Sequence, residues 1–218
     1  MNYSKILHAV DHTLLKPEAT WAQVQALCEE GLEANVASVC ISPCFVASAR
    51  DYLQGRLPVC TVVGFPSGAH TTRVKVAEAE DAVENGAAEL DMVIGIGLAK
   101  AARWGELLEE ISALREVTSG RILKVIVEMS LLSQEEKLRL CELVARAGAD
   151  FMKTSTGFSS GGATREDICL MRQQLPSEVK IKASGGIRSF ADALVMLEAG
   201  ADRLGSSALV PLAKAARG

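Results

Sequence analysis

The 218-residue chain is long enough for one large domain with a sizeable buried core. Nearly half of its residues are hydrophobic and 23% are charged, and the formal net charge of −4 gives no broad basic surface for nucleic acid. The chain has no run of about eighteen apolar residues, and its N-terminus lacks the apolar centre of a signal peptide. We therefore expect a cytoplasmic protein with no membrane partner, in which the six cysteines stay reduced.

Short β-rich runs alternate with longer amphipathic stretches along the chain. The predicted strands are residues 9–14, 37–42, 58–64, 88–94, 122–128, 149–155, 179–184 and 201–206. Helical stretches lie between them; one begins at Thr20, and another opens with a Ser133/Glu136 capping box. Eight such units without a linker predict parallel strands in a closed (β/α)8 TIM barrel, a single α/β domain over residues 1–218. A doubly wound open sheet is the main alternative, but HTLLKP after the first strand lacks its glycine-rich fingerprint.

Two lysines end the predicted strands six and seven, where an apolar residue is more usual. Lys153 follows ADFM and Lys182 follows VKI, and neighbouring strands lie about 4.8 Å apart. Mutual repulsion and burial predict a lowered pKa for both lysines, and a neutral lysine attacks a carbonyl to form an imine. Each lysine alone is more often a strand-end residue that reaches solvent, but the pair favours catalysis.

Other polar residues are expected to face the same chamber. Asp91 lies among apolar neighbours in ELDMV, and beside two lysines it would stay ionised and move protons; a purely structural ion pair is the alternative. Lys124 and Glu128 share one face of strand five by two-residue alternation, which more often supports a site than performs its chemistry. Asp11, Thr13 and Cys40 also lie at or within strand ends.

Glycine-rich loops late in the chain predict a phosphate site. In TIM barrels, phosphate often binds at the loops after strands seven and eight, where backbone N–H groups and helix N-termini approach the anion. One such loop alone is more often a simple turn, whereas two after these strands are a stronger signal. The candidate phosphate-binding residues are Gly157, Gly185, Gly186, Arg188, Gly205 and Ser207.

Two pairs have the spacing of metal ligands but lack the rest of a site. His8 and His12 are four residues apart, yet they span a predicted change from helix to strand and have no evident third ligand. Cys40 and Cys44 lie on either side of Pro43, where the chain turns. We therefore expect no metal and no other cofactor.

The chain closely resembles the 2-deoxyribose-5-phosphate aldolase family from near residue 9 to near residue 210. The resemblance rests on DHTLLKP, SVCISP, TVVGFPSG, KVAEAEDAVENGAAELDMVI, LKVIVE, FMKTSTGF, VKIKASGGIR and RLGSSA. KTSTGF followed by KASGGIR at this separation is the specific part, whereas GFPSG or GSSA alone would prove little. The family has a (β/α)8 barrel and reversibly cleaves 2-deoxy-D-ribose 5-phosphate to acetaldehyde and D-glyceraldehyde 3-phosphate without a cofactor.

The resemblance implies roles for individual residues. Lys153 matches the Schiff-base lysine, Lys182 its pKa-lowering neighbour, and Asp91 the group that moves protons with a water. The pocket positions are matched by Asp11, Thr13, Cys40 and Lys124, and the phosphate end by the glycine-rich loops. Gly95 and Met129 depart from the asparagine and threonine usual in the family, and ALVPLAKAARG carries no tyrosine for proton transfer, so the enamine's proton donor is left open.

Two other functions are compatible with parts of this pattern. Another lysine-imine enzyme, either a different sugar-phosphate aldolase or a transaldolase, would use the same lysines. A non-catalytic barrel that binds sugar phosphates would need only the phosphate loops. In each case the expected partners are small sugar phosphates and aldehydes, and the resemblance suggests a homodimer or higher homo-oligomer.

Overall fold

The computed structural model describes residues 3–216, and in this range eight parallel strands close into a barrel. The strands are β1 (Val10–Leu14), β2 (Ser38–Ile41), β3 (Val59–Val63), β4 (Glu89–Val93), β5 (Ile122–Ile126), β6 (Phe151–Lys153), β7 (Lys180–Ser184) and β8 (Arg203–Ser206). Each strand pairs with the next, and β8 pairs with β1, which confirms the predicted (β/α)8 barrel. Residues 1–2 and 217–218 of the predicted domain lie outside the described residues.

Helices surround the barrel and connect its strands. They are α1 (Tyr3–Leu7), α2 (Trp21–Ala34), α3 (Val46–Leu53), α4 (Thr72–Glu84), α5 (Ile96–Lys100), α6 (Trp104–Val117), α7 (Gln134–Arg146), α8 (Arg165–Gln174), α9 (Phe190–Glu198) and α10 (Leu209–Ala215). The predicted cap of α7 is present, because the Ser133 hydroxyl accepts the Glu136 N–H at 3.2 Å and the Glu136 carboxylate accepts the Ser133 N–H at 2.7 Å. Within residues 3–216, no helix is both long and apolar enough to cross a membrane.

Alternation along each strand divides the barrel into an apolar outer face and a polar inner face. On β2, Val39 and Ile41 belong to the hydrophobic core between strands and helices, whereas Ser38 contacts the side chain of Asp11 inside the barrel. The same alternation places Lys124 inside the barrel while Leu123 and Val125 pack outward. The main apolar core therefore surrounds the barrel, and its interior is left for charged groups.

The prediction of strand five to residue 128 was too long. β5 ends at Ile126, and Glu128 has left-handed backbone angles, φ +55° and ψ +65°, that no strand adopts. Hydrogen bonds to the next strand continue past this end, from the Met129 N–H to the Thr154 carbonyl at 2.8 Å. Glu128 is therefore not a third residue on the inner face of β5, and it leaves the strand at the start of a turn of 3₁₀-helix.

Candidate active site

The charged residues predicted for the chamber lie on neighbouring strands at similar height. Lys153 on β6 is the direct ladder partner of Lys182 on β7, and Asp91 on β4 is the partner of Lys124 on β5. All four side chains are almost completely buried. Since direct partners on parallel strands point to the same face, the fold brings three lysine amino groups and one carboxylate together inside the barrel.

Asp91 is the centre of this group. Its Oδ2 accepts hydrogen bonds from Lys153 Nζ at 2.8 Å and from Lys182 Nζ at 2.6 Å. Its Oδ1 accepts from Lys124 Nζ at 2.8 Å and from the Cys60 thiol at 3.2 Å. One carboxylate thus contacts all three lysines, and Lys153 and Lys182 share a single oxygen of it.

A second layer of ion pairs lies towards the amino ends of the strands. Asp11 accepts from Arg203 at 2.6 Å and from the Ser38 hydroxyl at 2.7 Å, and it also forms an ion pair with Lys182. Glu89 pairs with Lys124 at 2.6 Å and with Arg203 at 3.4 Å. The sequence analysis missed Glu89, Arg203 and Cys60. Glu89 could have been predicted, because it precedes Asp91 by two residues and therefore lies on the same face of β4.

The prediction that burial and repulsion lower the pKa of Lys182 is wrong. Burial does act in that direction, but the carboxylates of Asp11 and Asp91 outweigh it and raise the pKa well above its ordinary value. Burial also lowers the pKa of Lys124, but the carboxylates of Asp91, Asp11 and Glu89 outweigh it and raise that pKa. Lys182 is therefore held as an ammonium ion, with two carboxylates as its counter-ions.

The two buried aspartates are held ionised. Burial raises the pKa of Asp91, but Lys124, Lys153 and Lys182 overcome it and bring the pKa well below its usual range. Burial likewise opposes ionisation of Asp11, while Lys182, Lys124 and Arg203 lower its pKa more strongly. Both acids therefore remain carboxylates at neutral pH.

Replacement of Asp11 by asparagine is expected to destabilise the protein by about 3–5 kcal/mol at pH 7, since Lys182 and Arg203 lose a buried counter-ion. Because the folded-state pKa of Asp11 is depressed, its contribution exists above the unfolded value near pH 4 and is lost as pH falls further. The gap between wild type and variant should therefore narrow from pH 5 towards pH 2, as measured by urea unfolding. A constant gap would contradict the assignment, and Asp51→Asn, at an exposed carboxylate, is the control.

Two further predicted pocket residues lie beside this network. Thr13 is half-buried on β1, with its hydroxyl donating to the Asp11 carbonyl at 2.8 Å, and it lines the adjoining cavity. Cys40 is fully buried and is the ladder partner of Cys60. The hydrogen bond with Cys60 lowers the pKa of the Cys40 thiol, and burial opposes that effect.

A cavity of about 380 Å³ opens beside Lys153 at the carboxyl ends of the strands. Its walls come from the loops that follow β1, β6, β7 and β8. The lining residues are Thr13, Leu14, Leu15, Lys16, Lys153, Thr156, Gly157, Phe158, Ser184, Gly185, Gly186, Ile187, Arg188, Gly205, Ser206, Ser207 and Ala208. All six residues predicted for phosphate binding lie on this wall. Lys16 and Phe158 were not predicted, because nothing in their spacing marks them as ligand contacts.

Backbone N–H groups on this wall are available to a ligand. The N–H groups of Gly157, Gly186 and Ser207 donate to no acceptor within residues 3–216. Gly185 and Gly186 both have φ near +81°, and a Cβ on Gly185 would lie 2.9 Å from the Cα of Gly162. Glycine is thus required at Gly185 both by the backbone angle and by the close approach of the neighbouring loop. Unpaired N–H groups around a cavity suit the oxygens of an anion.

The residues of the two pairs with metal-ligand spacing have different surroundings, and Cys40 is buried whereas Cys44 is exposed. His8 contacts the Asn35 carbonyl at 2.9 Å, whereas His12 contacts Glu30 at 3.1 Å. Two buried groups do bring possible ligand atoms within 4.8 Å of one another, namely Cys40 with Cys60 and Asp91, and Asp11 with Cys60 and Glu89. Their carboxylates are already neutralised by lysine and arginine, so a further cation would meet repulsion from those groups.

Comparison with known sequences gives matches over almost the whole chain. The profile of the DeoC/LacD family aldolases matches residues 5–209. A deoxyribose-phosphate aldolase of Carboxydothermus hydrogenoformans is 52% identical over 214 residues, which cover 96% of this chain and 94% of the relative. One from Clostridioides difficile is 47% identical over 209 residues, covering 96% of this chain and 95% of the relative.

Solved structures match in the same way. The tetrameric deoxyribose phosphate aldolase of Aeropyrum pernix has a TM-score of 0.91 at 31% identity, covering 99% of this chain and 92% of that one. QR15, an aldolase, has a TM-score of 0.93 at 37% identity, covering 97% and 96%. Dihydrodipicolinate synthase from Bacillus clausii, at 13% identity and a TM-score of 0.65, shares the fold alone; the match covers 95% of this chain and 71% of that one.

Proposed function

This chain belongs to the DeoC/LacD family of aldolases, and from that premise we propose that it reversibly cleaves 2-deoxy-D-ribose 5-phosphate through an imine on Lys153. The products are acetaldehyde and D-glyceraldehyde 3-phosphate. The membership makes the protein a lyase and confirms the resemblance found in the motifs. The observation that carries the mechanism is the shared Asp91 Oδ2, which holds Lys153 and Lys182 beside a cavity with unpaired N–H groups.

Charge balance supports Lys153 as the nucleophile. The ion-pair network contains four cationic side chains, Lys124, Lys153, Lys182 and Arg203, and three carboxylates, Asp11, Glu89 and Asp91. It is neutral when one lysine is an uncharged amine. Carboxylates hold Lys124 and Lys182 as ammonium ions, and arginine keeps its proton, so Lys153 is the lysine left to serve as the nucleophile. Lys153 is also the one of these lysines that lines the cavity.

The proposed cleavage proceeds in balanced steps. The Lys153 amine adds to the C1 aldehyde of the open-chain sugar, and the carbinolamine loses water to give a protonated imine. Asp91, through a water, takes the proton of the 3-hydroxyl as the C2–C3 bond breaks, and the electron pair passes to the imine nitrogen. This releases D-glyceraldehyde 3-phosphate and leaves an enamine. The proton taken up by Asp91 returns through water to C2 of the enamine, and addition of water to the resulting protonated imine releases acetaldehyde and one proton and restores Lys153.

Lys182 supplies positive charge and a proton in this scheme. Its ammonium group contacts the same oxygen of Asp91 as Lys153 and is placed to give a proton to the departing hydroxyl of the carbinolamine, and it regains a proton when the imine is hydrolysed. Asp11, fixed by Arg203, holds Lys182 in this position. The glycine-rich loops that line the cavity orient the sugar by its phosphate group, and this positioning increases the rate.

The remaining proposals concern location, assembly, cofactors and partners. We place the protein in the cytoplasm as a homo-oligomer, with one domain over the whole chain; the tetrameric Aeropyrum pernix relative supports the homo-oligomer. The paired acids of the interior support a reaction without metal or other cofactor. Small sugar phosphates and aldehydes are the expected partners, and the net charge of −4 argues against nucleic acid.

Reductive trapping tests the proposal. The protein is incubated with acetaldehyde and borohydride, with and without a chelator, and analysed by intact mass and peptide mapping. We expect a single ethyl adduct on Lys153 that is insensitive to the chelator, together with cleavage of deoxyribose 5-phosphate. Folded protein without an adduct, or an adduct on another lysine, would refute the mechanism. Turnover of ketose phosphates in place of deoxyribose 5-phosphate would indicate a transaldolase.

A further inference from the structure

Glu128 is a buried acid that the proposed mechanism does not use. It lies two residues beyond β5, with 1% of its surface exposed and with left-handed backbone angles that residues other than glycine rarely adopt. Such a conformation persists only where the surroundings hold it. The contacts of the Glu128 side chain therefore indicate its role.

The Glu128 carboxylate is joined to the loop that follows the proposed Schiff-base lysine. Its Oε2 accepts from the Thr156 N–H at 3.1 Å and from the Thr156 hydroxyl at 2.5 Å. The same hydroxyl oxygen accepts the Phe158 N–H at 3.1 Å. With the Met129–Thr154 backbone hydrogen bond, these contacts fasten the loop Thr154–Phe158 to the end of β5.

These hydrogen bonds determine which groups of the loop can bind an anion. A threonine hydroxyl has one proton, and Thr156 gives it to Glu128, so this side chain has none to donate to a ligand. The next residue, Gly157, lines the cavity at φ +84°, and its N–H has no acceptor within residues 3–216. The loop therefore offers a backbone donor whose position depends on the Glu128–Thr156 contact.

One oxygen of the carboxylate performs this task alone. Oε1 of Glu128 is buried and has no hydrogen-bond partner among the described residues. An amide oxygen at the same place can accept both bonds from Thr156, and its NH₂ group would then occupy the unpaired position. Acceptor geometry and negative charge can thus be separated by substitution.

We propose that Glu128 is a positioning residue that sets the Thr154–Phe158 loop for phosphate recognition while leaving imine formation at Lys153 unaffected. The identity of the ligand as a sugar phosphate rests on the proposed function, whereas the binding of an anion at this loop does not. Loss of the acceptor lets the Gly157 N–H move away from the cavity, and the phosphate end of the substrate is then held less tightly.

The test compares Glu128→Ala and Glu128→Gln with wild type and with Glu109→Ala, a matched change at an exposed glutamate of α6. Inorganic phosphate is the probe, and its dissociation constant is measured by calorimetry and as competitive inhibition. We expect about tenfold weaker phosphate binding in Glu128→Ala, as for loss of one or two hydrogen bonds, and less than about threefold change in Glu128→Gln. The rate of borohydride trapping with acetaldehyde should stay within about threefold of wild type in both.

Several results would overturn the proposal. An equal loss of phosphate affinity in Glu128→Ala and Glu128→Gln would show that the negative charge is responsible, not the acceptor geometry. An equal loss of acetaldehyde trapping and of phosphate affinity would show that the change disturbs the whole site. If Glu128→Ala does not fold, Thr156→Val should weaken phosphate binding about tenfold and Thr156→Ser should not. Wild type that forms no imine refutes the proposed function, whereas phosphate binding across the variants still decides the role of Glu128.

Discussion

Replacement of Lys153 by arginine is expected to abolish imine formation and to reduce turnover by on the order of 10⁴-fold or more. Arginine can also donate a hydrogen bond to Asp91, so the contact that Lys153 makes with this carboxylate can survive the change. Its guanidinium does not lose a proton at accessible pH and cannot add to a carbonyl. The measurement is cleavage of deoxyribose 5-phosphate together with borohydride trapping by acetaldehyde.

The matched control for this change is Lys180→Arg. Lys180 begins β7 and is exposed, so arginine there should leave turnover and trapping as in wild type. A folded Lys153→Arg variant that still forms an adduct on Lys182 would contradict the assignment. That result would mean that Lys182 can also attack acetaldehyde as an uncharged amine, contrary to the effect of its two carboxylate partners on its pKa.

Replacement of Asp91 by asparagine should affect both activity and stability. The amide cannot serve as a base, so we expect turnover to fall by about 10²- to 10⁴-fold. Three lysines lose their common anion, and breaking a buried ion pair of this kind costs about 3–5 kcal/mol in the free energy of unfolding. Activity is followed by product formation, and stability by urea unfolding at pH 7.

The pH dependence of stability in the Asp91→Asn variant identifies the cause of its destabilisation. In wild type, a raised pKa at Lys182 stabilises the fold below the unfolded value near 10.4, and this is lost as pH rises through the folded value. Without Asp91, one of the carboxylates that raise the pKa of Lys182 and Lys124 is gone, so the variant keeps less of this stability. The gap in unfolding free energy between wild type and variant should therefore narrow as pH rises above about 10.4. A constant gap would contradict the loss of this counter-ion as the cause, and Asp51→Asn is the control.

The architecture was predictable because its signals are local. Each strand is a short run bounded by turn residues, and the cap at Ser133 is complete within four residues of sequence. Alternation along a strand then fixes which side chains face inward, as it did for Lys124 and Asp91. Together with the rule that barrel sites lie at the carboxyl ends of strands, this alternation predicts that the proposed catalytic residues lie close together.

The electrostatics of the lysines were not predictable in the same way. The pKa of Lys182 depends on Asp11 and Asp91, which are far from it in sequence and come close only through barrel closure. Repulsion between Lys153 and Lys182 follows from strand order, whereas the opposing attraction depends on distances of a few ångströms. Glu128 was misplaced for a related reason, because its left-handed backbone is maintained by a contact with Thr156 on the next loop.

Closure of the barrel by β8 gives the interior an order of assembly during synthesis. Arg203 binds Asp11 across 192 positions of sequence, and β8 also provides the strand that pairs with β1. Before a ribosome has added residue 203, Asp11 lacks this cation and the sheet has two open edges. The nascent chain thus carries Lys182 and both of its carboxylate partners before it carries the cation that fixes Asp11, and we expect the proposed carbonyl chemistry only when the last strand is in place.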